Sequence, residues 1–360
     1  MAKFHTLTIS DIKHETADCV SLAFDVPKEL TSEYNYIQGQ YLTLKLNVNG
    51  EELRRSYSIC SSPKTDNELR VAIKKVAGGK VSTWINDFAK KGSNIEVMTP
   101  LGNFHTELKP TNKKKYILFS GGSGITPMMS IIKTTLNIEE KSELILFYGN
   151  YNEASTIFKT EIDDLAKKFS ERLKVHYVFD KPSEEPSQEL LKGLMTSDKI
   201  KLLLQTFGHV TPVTEYFICG PGPMMENVKT TLEELNVHKN YIHIEYFTSV
   251  IDAVAAAEAA SETKPDLASK VKVTMDGTEY VFDLNANGKA ILDAAMDAGV
   301  DAPFSCKGAV CCTCKAKVMK GKVTMDMNYA LSDGEVEEGY ILTCQSHPAS
   351  PEVEVSYDEP

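Results

Sequence analysis

Three rhythms of hydrophobic and polar positions follow one another along the chain. From residue 1 to about 105, short runs such as YLTLKLNV (41–48) and LRVAIKKV (69–76) alternate apolar and polar residues, with turn residues between them. A period of two predicts half-buried antiparallel strands in a barrel or sandwich. The middle of the chain changes to compact apolar runs that take turns with helical patterns. KKKYILFSGGSGITPMMSIIKTTL (113–136), ELILFYGN (143–150), LKVHYVFD (173–180) and EYFICGPGPMMENVKTTLEEL (215–235) predict parallel strands with crossover helices. SVIDAVAAAEAASETKPDLAS (249–269) has almost no bulky residue after Val254 and reads as a linker, the alternative being a solvated helix. Beyond it, VKVTMDGTEYVFDL (271–284) predicts a hairpin turning at Asp276-Gly277, and KAILDAAMDAGV (289–300) an amphipathic helix. The expected division is 1–108, 109–250, a linker at 251–269, and 270–360.

Composition narrows the class. The 360 residues leave room for two or three domains, and 42% hydrophobic with 25% charged residues is ordinary globular usage that excludes overall disorder. A net charge of -11 excludes nucleic acid as a partner, since phosphates demand a basic face. The first residues lack a basic stretch followed by an apolar run, and no window reaches the roughly 18 apolar residues of a membrane span. The expectation is a cytoplasmic protein with no membrane contact. In a reducing compartment, clustered cysteines point to metal or redox chemistry, not disulfides.

Four of the eight cysteines stand in CKGAVCCTC (306–314). Cys306, Cys311 and Cys314 form C-x4-C-x2-C, and Cys344 follows thirty residues on, the spacing of a plant-type two-iron, two-sulfide site. Four thiolates must converge on two irons, so a tight loop supplies three and a distant segment the fourth. Gly308 and Ala309 are small enough for the loop to wrap closely and aim amides at sulfur. Zinc is the alternative, but zinc sites usually pair two C-x-x-C knuckles, and only Cys311 and Cys314 form one here. Cys312 is expected to point away from the irons. Cys19, Cys60 and Cys219 lie too far off to be ligands by this spacing.

Two further regions carry candidate chemistry. RRSYSIC (54–60) sets Arg55 and Tyr57 on one face of a predicted strand, with Ser58 on the other or at a bend. Downstream, GGKVSTWI (78–85) has two glycines, then Ser82 and Thr83 opening a helical run, which suits a phosphate at a helix N-terminus. In YILFSGGSGITPMMSII (116–132), Gly121, Gly122 and Gly124 permit close backbone approach to a pyrophosphate, and Thr126-Pro127 begin a helix. FICGPGPMM (217–225) repeats that logic, placing Cys219, Gly220 and Pro221 at a carboxyl edge where open parallel sheets bind ligands. Taken singly, each is also compatible with a plain strand-to-helix turn.

In their order, these motifs resemble the ferredoxin-NADP reductase superfamily, and the whole chain resembles reductase components of multicomponent bacterial oxygenases. The resemblance implies an antiparallel β-barrel flavin domain, an α/β parallel-sheet nucleotide domain and an α+β β-grasp ferredoxin domain. It implies FAD, a 2Fe-2S cluster and NAD(P)H, with NADPH favoured by the family. Tyr57 would stack on the flavin ring, Arg55 would bind a flavin phosphate, and Ser58 would hydrogen-bond near the hydride-accepting nitrogen. Ser82 and Thr83 would hold the FAD pyrophosphate. In IHIEYF (242–247), Glu245 and Phe247 would lie near the ring, and Thr126 and Cys219 would flank the nicotinamide. Ser58, Cys219 and Glu245 are the candidate catalytic groups. YGNYNEASTIFKTE (148–161) lacks the Arg by which many NADPH-using relatives grip the extra phosphate; it offers Lys159, and Glu153 for a ribose hydroxyl. The implied partner is an oxygenase component. From 270 onward, eight Lys/Arg stand against fifteen Asp/Glu, a net of -7, so the partner's docking face is expected to be basic. A general ferredoxin reductase or diaphorase, and a redox-sensing binding protein, are the alternative functions.

Overall fold

The first alternating segment folds as its period demands. In this computed structural model, which describes residues 3–186, 188–208, 213–247 and 266–359, strand β1 (Phe4–Thr16) carries two register shifts. They bend it, so that its first residues pair with β6 (Asn94–Met98) and the rest with β2 (Cys19–Asp25). With β3 (Tyr41–Val48), β4 (Glu51–Ser58) and β5 (Leu69–Lys74), the order is β4-β3-β6-β1-β2-β5, and a bridge between Ile59 and Val71 joins the two ends into a barrel. Leu22, Leu42, Leu44, Ile73 and Val97 fill it. Helix α1 (Lys80–Phe88) leans on the core through Val81 and Ile85.

The middle segment is a five-stranded parallel sheet of β7 (Lys115–Gly121), β8 (Glu143–Asn150), β9 (Leu173–Phe179), β10 (Thr214–Cys219) and β11 (Ile242–Glu245), ordered β11-β10-β7-β8-β9. Both faces are buried, which explains the continuous apolar runs. One face packs against α2 (Ile125–Ile138) and α3 (Lys159–Lys168), the other against α4 (Ser197–Leu203) and α5 (Gly222–Glu234). The chain leaves β7 toward β8 and later returns to β10 on its other side. That reversal creates a crevice at the carboxyl ends of β7 and β10. Cys19, Cys60 and Ala72 of the barrel share one apolar core with Met128, Ile132 and Leu118, so these two domains are joined by buried hydrocarbon.

The linker expected at 251–269 lies outside the described residues as far as 265. The third domain has sheet order β13-β12-β18-β14-β16, built from β12 (Ala268–Met275), β13 (Thr278–Asn285), β14 (Lys315–Lys320), β16 (Tyr340–Leu342) and β18 (Glu352–Ser356). The late strand β18 sits at the centre, parallel to β12 and antiparallel to β14. The hairpin turns at Asp276 and Gly277, both with positive φ, and Asp358 accepts hydrogen bonds from both their amides. Helix α6 (Ile291–Asp297) buries Ile291, Leu292 and Ala295 against this sheet, the grasped helix of the expected architecture. A small pair, β15 (Val323–Met325) with β17 (Ser346–Pro348), and a short helix α7 (Asp333–Glu337) complete it.

Candidate functional site

Strand β4 is the wall on which the site is built. Its residues alternate, and the pairing of Tyr57 with Leu42 and of Arg55 with Leu44 sets these two on the same face. Arg55 and Tyr57 line a cleft of about 360 Å³ together with Val76, Gly78, Gly79 and Ser82. Gly78 takes φ +73°, a turn that favours glycine. The helix begins at Lys80, so Ser82 sits within its first turn; its hydroxyl accepts from the Val76 amide at 3.1 Å and braces the glycine turn. Thr83 follows on the same helix, outside the cleft-lining residues. The cleft brings together an exposed cation, an aromatic ring and a glycine turn at a helix N-terminus, a donor set that fits a flavin phosphate and ring.

On the opposite side of β4, Ser58 is buried and donates to the Glu245 carboxylate at 3.1 Å. Glu245 ends β11 and is paired in register with Cys219 at the end of β10, which is paired in turn with Ser120. All three candidate catalytic groups therefore meet at one crevice. Loss of hydration pushes the Glu245 pKa up from 4.5 to about 8, and the Ser58 hydrogen bond only partly offsets this. Cys219 is fully buried, and burial raises its thiol well above the ordinary range, with Glu245 adding to the effect.

The two glycine turns, read separately in the sequence, touch. A Cβ on Gly124 would stand 2.1 Å from the Cys219 carbonyl oxygen, and one on Gly121 would stand 2.5 Å from Pro221. Gly220 is equally hemmed in, by the Gly121 amide. Gly122, by contrast, has positive φ and open space beside it, leaving its backbone accessible to a ligand. Thr126 donates to the Ser123 carbonyl and holds the turn. Phe247 keeps 39% of its surface exposed, an aromatic face left for stacking. At the carboxyl edge of β8, the Glu153 carboxylate accepts from the amide and hydroxyl of Ser183, while Lys159 pairs with Asp163 instead. Lys181, stacked over Tyr151 at 5.4 Å, is a cation at this edge that the sequence motifs did not single out.

The cysteines gather in two pairs. Cys306 and Cys311 approach to 3.1 Å between sulfurs, and Cys314 shares a side-chain hydrogen bond with Cys344. Among the described residues, no group of three or more His, Cys, Asp or Glu side chains converges as a single-ion site would require. Two pairs, each able to hold one iron, match a two-iron cluster and not zinc. The loop wraps by placing Lys307 and Ala309 at positive φ, and the Gly308 amide points at the Cys306 sulfur at 3.3 Å. Cys312 turns away from the pairs, toward Tyr41 of the barrel.

The chain matches three family models in order: the oxidoreductase FAD-binding domain at 6–106, the oxidoreductase NAD-binding domain at 118–230, and the 2Fe-2S iron-sulfur cluster binding domain at 273–349. It belongs to the family of FAD-, NAD- and 2Fe-2S-binding reductase components of oxygenase systems, an oxidoreductase. It is 38% identical, over 99% of each chain, to one of the proteins that make up the 1,2-phenylacetyl-CoA epoxidase of Escherichia coli (strain K12). The ferredoxin reductase component of 3-ketosteroid-9-alpha-monooxygenase from Mycobacterium tuberculosis (strain ATCC 25618 / H37Rv) is 36% identical over 98% of this chain and 96% of that one. Phthalate dioxygenase reductase, a modular structure for electron transfer from pyridine nucleotides to [2Fe-2S], shares the fold, with a TM-score of 0.58, 23% identity and 98% of each chain covered. The reductase reading therefore holds over the sensing alternative. No helix among the described residues is long and apolar enough to cross a membrane.

Proposed function

We propose that this reductase feeds electrons to an oxygenase of the phenylacetyl-CoA epoxidase kind in the cytoplasm. The convergence of Ser58, Glu245 and Cys219 at the carboxyl ends of β10 and β11 carries this reading. When bound, the flavin accepts a hydride from NAD(P)H and releases electrons singly, and the cluster carries them one at a time. Arg55 and the glycine turn before α1, with Ser82 and Thr83, hold the flavin phosphates; Tyr57 and Phe247 cover the ring. Gly121, Gly122, Gly124 and Gly220 let the backbone approach the nucleotide, with Thr126, Cys219 and Pro221 walling the nicotinamide. Ser58 and Glu245 manage the proton at the reacting edge, Ser58 orienting the carboxyl. Cys306, Cys311, Cys314 and Cys344 ligate the two irons. The domain limits are 1–108, 109–250 and 270–360, and the oxygenase presents a basic face to the third domain.

An anaerobic titration of the purified protein with NADPH and, separately, NADH tests this. Two irons, two sulfides and one FAD per chain, with flavin and cluster bleaching in turn, are the expected result. Zinc in place of iron, or a cluster that neither nucleotide bleaches, overturns it.

A further inference from the structure

The second face of β4 is occupied by the iron–sulfur domain. Arg54 lies over the Phe304 ring at 4.2 Å with Asp301 3.8 Å away, and Ser56 donates to Ser305 at 2.9 Å. Next to them on β3, Tyr41 stands opposite Ser58, and its hydroxyl reaches Thr313 at 3.1 Å and Cys312 at 3.3 Å. Thr313 and Cys312 sit between the ligands Cys311 and Cys314. Tyr41 is 5% exposed, and its place is prepared: its backbone exchanges hydrogen bonds with Leu101, and a Cβ on Gly102 would meet its ring at 3.0 Å. Farther out, Asn103 donates to Glu335, Lys239 pairs with Asp333, and the rings of Tyr246 and Tyr329 stand 5.1 Å apart. A cavity of about 830 Å³ opens beside this contact and touches Tyr41, Glu245 and Cys311.

We infer that Tyr41 with Arg54 seats the cluster-bearing loop on the face of β4 that carries Arg54, Ser56 and Ser58, so that the loop rests beside the Ser58–Glu245 edge. Tyr41 is a positioning residue: it fixes where the 306–314 loop rests, and it ties that loop to the strand position opposite Ser58. Because most of these contacts are polar, the seat resembles transient interfaces and can be released, unlike the apolar junction of the other two domains. The inference rests on the roles proposed above for Ser58 and for Cys306, Cys311, Cys314 and Cys344.

Cys312, covered by Tyr41 and not a ligand, is a built-in reporter. In the full-length protein carrying flavin and iron, alkylation of Cys312 by iodoacetamide, read by peptide mass, is expected to be at least about tenfold faster in Tyr41→Ala and in Arg54→Glu than in the wild type. Tyr41→Phe, which keeps the ring, should lie within about threefold of wild type. Rapid mixing with NAD(P)H should show cluster bleaching slowed at least about tenfold in Tyr41→Ala and Arg54→Glu, and restored to near wild type in Tyr41→Phe. Unchanged Cys312 alkylation in both disrupting variants overturns the inference. Loss of iron from both overturns it too, since a seat positions a finished cluster and is not needed to build one. If the wild type itself binds no flavin, or its cluster never bleaches, the proposed site roles fail instead, and Cys312 protection still reports the seat.

Discussion

Glu245 holds a partly buried carboxyl whose charge is poorly solvated. With its pKa raised to about 8, it is neutral at pH 7 and able to give up a proton, a state an ordinary carboxyl leaves near 4.5. Between those values the folded chain keeps a proton that the unfolded chain releases, so this group stabilises the fold at low pH and that contribution is lost as pH rises through about 8. Flavin reduction by NAD(P)H, followed by rapid mixing, should decline across the same window. Glu245→Gln should flatten the profile there and slow the step roughly tenfold or more; a variant that keeps the wild-type profile would assign the titration elsewhere. How legible such residues were depended on distance along the chain. The four candidate ligand cysteines stand out because three of them share a local spacing, whereas Glu245 was singled out only through the family resemblance. Tyr41 does not: its partners Cys312 and Thr313 lie 271 and 272 residues away, and no local pattern encodes that meeting. The one available signal was alternation in β4, which places Arg54 and Ser56, with Ser58, on the face opposite Arg55 and Tyr57.

At the scale of elements, the two strand-turn-helix units work as one because their turns interlock through absent side chains. Gly124→Ala would press a methyl against the Cys219 carbonyl, a backbone atom that cannot swing aside. Such overpacking costs on the order of 1–3 kcal/mol and should widen the crevice. The measurable outcome is a lower melting temperature together with weaker NAD(P)H binding, whereas Gly122→Ala, with open space but positive φ, should act through backbone strain alone. The sequence rhythm revealed these elements well: barrel strands by their period of two, buried parallel strands by unbroken apolar runs, the 271–284 hairpin by Asp-Gly. Strand order was another matter. Nothing local tells β18 to insert between β12 and β14, because that choice is made by pairing across the whole domain.

The molecule as a whole combines two kinds of junction. The flavin and nucleotide domains share buried hydrocarbon, while the third domain rests on Arg54, Ser56, Asn103 and Lys239. Its net of -7 is the basis of the proposed docking to a basic partner face. With cytochrome c as a basic acceptor, raising salt from about 20 mM to about 500 mM should cut electron delivery roughly tenfold, since the screening length shrinks below the span of the docking face. Reduction of an uncharged quinone under the same change should hold steady; equal loss for both acceptors would point to screening of the internal seat instead. The central position of β18 also sets an order of events in folding. Residues 306–344, which carry the four candidate cluster cysteines, all precede that strand in the chain. The sheet that backs the cysteine loop therefore closes only when the strand Glu352–Ser356 has joined it, so this domain folds late, as one unit, and not progressively from its N-terminal hairpin.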